Sequence, residues 1–521
     1  MEIVIRSIKM PICHTEQDVI KAAQEIVRLH CVSADKFRIS KQSLDARKKN
    51  DIHYVYSVTA EAKDNTVCDG KVICPSKQAG GIEIPQKKLA ERPIVTGTGP
   101  CGLFAAYILA KSGNPPIVLE RGESVEKRTE AITRFWNGGK LDKNSNVQFG
   151  EGGAGTFSDG KLNSGIGDPR QRYVLQTFAE HGAPKDILYK AKPHIGTDKL
   201  RGVVKSMREE IIRLGGEVRF GSCLTGIKTH CGKLDEIEIN NNEALSCRLL
   251  VLAIGHSSRD TYEMLYKNGV AMQAKAFAAG VRIEHLQSMI NSTQYGCRDN
   301  NLPPADYKLV YNGKNRSCYS FCMCPGGQVV NASSEEGMLV VNGMSEYKRD
   351  KTNANSALVV PVRPEDFDKN SPLDGMYFQR KYEKLAYSIG GGAAPVQLAK
   401  DFMLDRKSDS FEDVQPSFTG DTCFARLDEC LPEFIVYGLK DGFVDFDRKI
   451  KGFASCGGIM TGVEMRTSAP VRMLRAENMQ SINTEGLYPA GEGAGYAGGI
   501  VSAAVDGIKC AIAVLNNGLN S

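Results

Sequence analysis

The sequence predicts an α/β protein. A parallel-sheet domain is interrupted in the chain (89–270 and 456–521) by an inserted α+β domain (271–455), with a small N-terminal α+β domain (1–88) in front. Three observations predict this. Beyond Pro93, short apolar runs alternate with helical periods, the mark of strand–helix–strand units. Glycine supplies 53 of 521 residues, about 10% against a usual ~7%. Those glycines concentrate at 97–102, 150–155 and 491–499, each stretch next to an expected strand or helix.

The composition closes off several classes. A net charge of +5 on this length gives no ground for expecting nucleic acid or a membrane surface. The longest apolar runs, such as 249–254, fall far short of the ~20 residues a bilayer helix requires, so no span is expected. The N-terminus lacks the apolar core of a secretory signal, and a cytoplasmic location is expected. With 16 cysteines in such a chain, reduced thiols are expected rather than a disulfide framework. The closest cysteines, Cys318, Cys322 and Cys324, have spacings of 4 and 2, and no Cys-x-x-Cys occurs, so no metal site is expected.

In chain order, Ile3, Ile5 and Ile8 open a strand, and Thr15-Glu-Gln-Asp18 forms a capping box for a helix reaching about Leu29. A strand with alternating Ile52, Tyr54, Tyr56 and Val58 follows. Between them lies a basic cluster of Lys36, Arg38, Lys41, Arg47, Lys48 and Lys49, read as a solvated face with a polyanion contact as the alternative. Residues 78–91 read as a linker. Next comes the strand Ile94-Val95-Thr96, the turn Gly97-Thr98-Gly99-Pro100-Cys101-Gly102, a helix with Leu103, Ala106, Tyr107 and Ala110 on one face, and a second strand ending in Glu120, followed by Arg121.

This arrangement has a chemical logic. The first glycine permits the tight turn, the second lets the backbone approach a pyrophosphate, and the third lets helix and strand pack closely. The helix N-terminus presents N–H donors to the anion. Glu120, 23 residues beyond Gly97, sits where a carboxylate accepts hydrogen bonds from a ribose diol. The unit predicts a Rossmann-like nucleotide-binding domain. A second loop, 150–155 with Gly152 and Gly153, continues through Thr156 and is placed against a planar ligand. The third runs from Gly491 and Glu492 to Gly499, where Ile500 opens a helix.

These residues resemble flavoproteins with the glutathione-reductase type of FAD domain, in which an N-terminal GxGxxG unit and a C-terminal Gly-Asp/Glu turn close on one FAD. The resemblance implies that Glu492, in place of the commoner Asp, binds the ribityl chain. It also implies that the strand 249–255, with Ala253 and Gly255, is the family's middle strand, and that 221–226, with Leu224, contacts the adenine side. The C-terminal helix would turn its positive end to the pyrimidine side of the flavin. The stretches QFGEGGAGTFSDGKL, KPHIGTDKL, GVRIEH, FCMCPGG and GEGAGYAGGIVSAAVDG narrow the resemblance to a family of largely uncharacterised bacterial FAD-dependent dehydrogenases, over essentially the whole chain. It implies FAD as cofactor and a hydride transferred between flavin and an organic substrate or NAD(P)H, a small-molecule partner. No second GxGxxG follows a strand, so NAD(P)H would visit as a transient donor.

Candidates for chemistry are Cys322 and Cys324, as a thiol pair or as buried small hydrophobes, and His194, as a general base or a structural histidine. Arg466 is expected as a fork near the flavin or a substrate carboxylate, and Arg282 with Glu284 as a substrate-binding or ordinary ion pair. Two alternatives to the dehydrogenase stay open: a thiol/disulfide reductase using Cys322 and Cys324, and a nucleic-acid-associated flavoprotein using Arg47, Lys48 and Lys49.

Overall fold

A computed structural model of the protein describes residues 1–63, 68, 70–76, 81–296, 301–367 and 370–518. The first residues of the expected linker at 78–91 lie outside them.

The unit expected to bind a nucleotide is a five-stranded parallel sheet in the order Leu487–Pro489, Leu250–Leu252, Ile94–Thr96, Ile117–Leu119 and Glu217–Arg219. Four of its strands are short and apolar because both faces are covered, and the edge strand Glu217–Arg219 is half-buried. Ile94, Ile117, Leu119, Leu250, Leu252 and Leu487 enter one core, whereas Val95, Val118, Val251 and Tyr488 enter the other. The helices Pro100–Lys111 and Ile500–Asn517 pack together on the second face. A Cβ on Gly507 would lie 2.0 Å from the Cys101 carbonyl oxygen, which explains how closely the two backbones approach. Ile500–Asn517 is long and apolar enough to cross a membrane, but it is mostly buried as the core helix of this domain.

The expected strand at 221–226 is broken. Glu217–Arg219 ends the parallel sheet, Gly221 turns with φ of +61°, and Leu224–His230 starts a separate three-stranded antiparallel sheet.

The inserted unit is a seven-stranded sheet in the order Val310–Tyr311, Cys318–Cys324, Asn353–Val362, Phe277–Leu286, Ile459–Glu464, Ala394–Leu398 and Thr422–Phe424. Its member Ile459–Glu464 lies beyond residue 455, where the sequence places the end of the insert, and its pairing with Phe277–Leu286 carries the sheet past that boundary. The chain enters and leaves through an antiparallel ribbon, Met272–Ala274 against Val471–Met473.

In the N-terminal unit, Thr15 Oγ1 accepts the Asp18 N–H and Asp18 Oδ2 accepts the Thr15 N–H, so the capping box forms at the start of Glu16–Leu29. A register shift between Ile5 and Ile8 keeps Ile3, Ile5 and Ile8 in one core despite their uneven spacing. Within the basic cluster, Lys36, Arg38 and Lys41 lie on a further strand, Ala34–Asp45, at the sheet edge. Two register shifts and polar residues on both faces hide its alternation. Lys36 pairs with Glu61, Arg38 with Glu2 and Arg47 with Asp45.

The insert's core holds a buried histidine with a measurable consequence. His285 Nε2 donates to the Phe453 carbonyl at 2.8 Å and Nδ1 has no partner, and burial lowers its pKa to about 4. Above the unfolded value of about 6.5 the neutral ring contributes its full stability. As pH falls towards 4, the unfolded chain binds a proton that the folded chain refuses, so stability is lost across that window, by up to about 3 kcal/mol. The urea midpoint of His285→Phe should fall less between pH 7 and pH 4.5 than that of the unchanged protein; parallel slopes would refute this.

Candidate functional site

A cavity of about 360 Å³ lies where the parallel sheet meets the inserted sheet. Its floor is the turn after Ile94–Thr96. Gly97 takes φ of +93°, and a Cβ there would lie 2.3 Å from the Ala253 carbonyl oxygen; one on Gly102 would lie 1.8 Å from the Gly97 oxygen. Both positions exclude a side chain because backbone already fills the space. Gly97, Gly99, Pro100 and Cys101 line the cavity, and Gly102 lies behind them as a packing residue. Gly99 is the N-cap of Pro100–Lys111 and offers no side chain to its free N–H groups, leaving that helix end open to a ligand anion.

Glu120 Oε2 accepts from the Thr98 N–H at 2.9 Å and its hydroxyl at 2.6 Å, while Oε1 accepts from Gly122 and Gly150 N–H at 3.0 Å each. One carboxylate thereby joins three loops at the cavity wall. Arg121 is beside it, bonded to Asp260 and Thr261 and stacked over Phe149.

The glycine loop is held from beneath by Arg128, a residue the sequence did not flag. Its Nε donates to the Asn146 carbonyl, Nη1 to those of Gly150, Glu151 and Gly153, and Nη2 to that of Val147, at 2.6 to 3.2 Å. Fully buried, it is pushed down to about 10 by desolvation, partly offset by Glu120 and Glu151. Gly153 lines the cavity; Gly152 does not, its Cα facing the Thr156 hydroxyl, and Thr156 is buried below the surface.

Ala253 and Gly255 line the cavity from the middle of the parallel sheet, Leu224 from the start of the antiparallel one, and Glu492, Gly499 and Ile500 from beyond the edge strand Leu487–Pro489. Burial raises Glu492 to about 7, opposed by Lys275. Gly491 stands back from the cavity, its N–H donating to Asp506, which also pairs with Arg475.

The inserted unit supplies the facing wall, with Phe321, Cys322 and Glu464 from the seven-stranded sheet and Asn342 from the two-stranded ribbon Gln328–Asn331 and Val341–Met344. Burial raises Glu464 to about 7 against the pull of Arg282, whose Nη1 donates to it at 3.0 Å. Arg282 does not pair with Glu284, which is held instead by Asn353 and Ser417. Arg466 lines the cavity, but its fork is committed elsewhere. Nε and Nη2 grip Glu383 at 2.8 and 2.6 Å, and Nη1 donates to Ser334. Arg259 grips the same carboxylate from the other side at 2.6 and 2.9 Å. The Arg466 carbonyl accepts from His256 Nε2 at 3.0 Å, and burial and Arg466 lower this cavity-wall histidine to about 4.

His194 is not in the cavity. Its Nε2 donates to the Tyr347 carbonyl, its ring stacks on Tyr347, and burial and Arg349 lower it to about 4, so it is a structural histidine bridged to Lys161. Cys324 is also off the cavity surface, behind Cys322. Arg128 shares its helix's buried face with Val125 and Ile132, and Glu383 its own with Met376, Gln379 and Ala386, but nothing local tells a charge at such a position from a solvated one.

An extended dinucleotide requires a narrow slot with free donors at both ends. Gly99 and Gly153 face each other so closely that a Cβ on Gly153 would lie 2.9 Å from the Gly99 Cα, and the helices starting at Pro100 and Ile500 both open there without side-chain caps. The residues fit FAD: the two uncapped helix ends, Glu120 and Glu492 all border one cavity.

The comparisons bear on the same point. Residues 276–467 match a family model described as an FAD-dependent protein, C-terminal domain-like, and residues 2–61 match a domain of unknown function. An uncharacterized protein of Clostridium beijerinckii is 55% identical over 485 residues, 91% of each chain. Among solved structures, the flavin-dependent brominase Bmp2 triple mutant covers 82% of this chain and 81% of its own at 13% identity and a TM-score of 0.37. CtdE in complex with FAD covers 81% and 83% at 11% and 0.32, and neither score is high enough to define the fold. The chain belongs to the same family as the Clostridium beijerinckii protein, a family of FAD-dependent proteins, and FAD is its cofactor.

Proposed function

We propose that the protein is an FAD-dependent oxidoreductase, a dehydrogenase that moves a hydride between FAD and an organic substrate or NAD(P)H. One observation carries this reading: the cavity that begins at the nucleotide-binding turn continues to a wall where Cys322 and Glu464 of the inserted sheet stand with Lys161 of the segment after the glycine loop. Bound FAD would supply the hydride chemistry. The chain's own residues do the rest.

The helix end at Gly99 and the loop held by Arg128 orient the dinucleotide. Glu464, held near 7, can keep or release a proton at neutral pH, which suits a general acid or base beside a small-molecule substrate. His256, neutral and fixed to the Arg466 carbonyl, positions that wall. Gly390–Gly392 form only the turn after the helix Asp374–Ile389, so a nicotinamide donor would approach FAD through the cavity itself. The described cysteines are free thiols, which accords with the cytoplasmic location this reading includes.

In anaerobic titrations of FAD-loaded protein, NADH, NADPH or a member of a panel of organic donors should bleach the flavin absorbance, and air should restore it. A flavin that dithionite reduces but that no nicotinamide or organic donor can reduce would defeat this reading.

A further inference from the structure

The cavity wall from the inserted sheet carries two thiols two residues apart. Cys322 lines the cavity and is partly exposed there; Cys324 is fully buried behind it. The strand Cys318–Cys324 loses register with Asn353–Val362 between Phe321 and Cys324, and Cys322 takes φ of +44°. A non-glycine residue enters that region at a conformational cost, and such costs gather at functional sites. In an undistorted strand, residues i and i+2 lie about 6.6 Å apart, just within the upper limit of about 6.8 Å for Cα atoms joined by a disulfide.

The surroundings divide the two thiols into unlike partners. The Cys324 thiol donates to the Cys322 carbonyl at 3.3 Å. Arg282 Nη2 donates to the Cys322 carbonyl at 2.6 Å and reaches the Cys324 sulfur at 3.6 Å. Lys161 donates to the Met323 carbonyl and is oriented by Asp159 at 2.7 Å. Side-chain hydrogen bonding from Cys324, with Lys161 and Arg282, holds the Cys322 thiol well below its usual range against the effect of burial. The same bonding, with burial, holds Cys324 well above it. Cys101, the other cysteine on the cavity wall, is held well above the usual range by burial and Asp506.

We propose that Cys322 and Cys324 form a redox-active dithiol that exchanges an electron pair with FAD, and that the substrate of this site is a disulfide; this deepens the oxidoreductase reading and rests on it. The Cys322 thiolate attacks one sulfur of the substrate, the substrate S–S bond breaks, and a thiolate leaves while Cys322 forms a mixed disulfide. The Cys324 sulfur then attacks the Cys322 sulfur. Its proton passes to the second departing thiolate, and the Cys322–Cys324 disulfide closes. Two electrons and one proton from reduced FAD return the pair to thiolate and thiol, and the hydride donor to FAD balances the cycle. Lys161 and Arg282 are positioning residues that stabilise the thiolate.

The test counts electrons on the holoprotein. FAD-loaded protein is oxidised with oxidised glutathione, desalted and titrated anaerobically with dithionite. The unchanged protein should take up about four electrons per bound FAD, two for the flavin and two for the disulfide, and Cys322→Ser and Cys324→Ser about two each, with FAD content retained. Separately, iodoacetamide at pH 6 should label Cys322 about tenfold faster than the exposed Cys13 or Cys456, and Lys161→Met should remove that advantage. Uptake of about two electrons by the unchanged protein, with Cys322 no faster than Cys13, overturns the dithiol. A full four-electron count with no nicotinamide or organic donor able to reduce the flavin leaves the dithiol standing and defeats the donor half of the oxidoreductase reading instead.

Discussion

Replacing Arg128 with Met should yield a protein that no longer retains FAD. The guanidinium makes five hydrogen bonds to main-chain carbonyls between Asn146 and Gly153 and stacks over Phe157, with no surface of its own. Methionine restores much of the volume and none of the donors, so five carbonyls lose their partner at once. Bonds to a charged donor contribute roughly 1.5–3 kcal/mol each, and even a fraction of that sum exceeds what a glycine-rich loop can recover by relaxing. The loop also carries Gly150, whose N–H binds Glu120, so its loss should loosen the nucleotide-binding turn. Lysine at 128 should rescue little, because one ammonium cannot span carbonyls spread over eight residues. Flavin absorbance after gel filtration, with thermal unfolding beside it, measures both effects. FAD retention and a melting temperature within about 2 °C of the unchanged protein would show that the loop does not depend on this residue.

Glu383→Gln should cost a comparable amount by a different route. The carboxylate receives four charged hydrogen bonds from Arg259 and Arg466, and although burial pushes its pKa up, the two guanidiniums bring it down to about 2. An amide leaves two buried cations sharing only the more exposed Glu335. Removing one partner of a buried ionic cluster costs about 3–5 kcal/mol. The pH dependence has a definite sign. The folded value is depressed below the unfolded ~4.5, so the stabilisation is fully present above pH 4.5 and is lost as pH falls towards 2. In Glu383→Gln the urea midpoint at pH 7 should be sharply lower, and the drop between pH 4.5 and pH 3 smaller than in the unchanged protein. Because Arg466 presents its carbonyl to His256 on the cavity wall, FAD affinity should fall as well. A midpoint at pH 7 that does not move would contradict this account.

What the sequence made legible was whatever depends on local spacing. The strand, glycine turn, helix, strand and acid around Gly97 and Glu120 are neighbours in the chain, and the Thr15 capping box is complete within four residues. The edge strand Ala34–Asp45 was not legible, because register shifts scramble its alternation. Arg128 and Glu383 were not legible either. Their partners lie 18 to 25 and 83 to 124 residues away, and a lone charge on an amphipathic helix looks like a solvated one until the surrounding elements bury it. His194 shows the converse: a histidine in a distinctive motif proved to serve a main-chain carbonyl.

The ribbon that joins Met272–Ala274 to Val471–Met473 is only a few residues long, yet it sets the modularity of the whole chain. The pairing extends to Lys275 and Pro470, so the insert's two ends leave the nucleotide-binding half side by side, one strand spacing apart. A module grafted at a single doubled stem can be exchanged for another of different size without rerouting the scaffold, provided its own ends meet. The stem is the seam at which a chimaera would be cut, and the Arg259–Glu383 pair is the contact across it that a replacement module would have to rebuild.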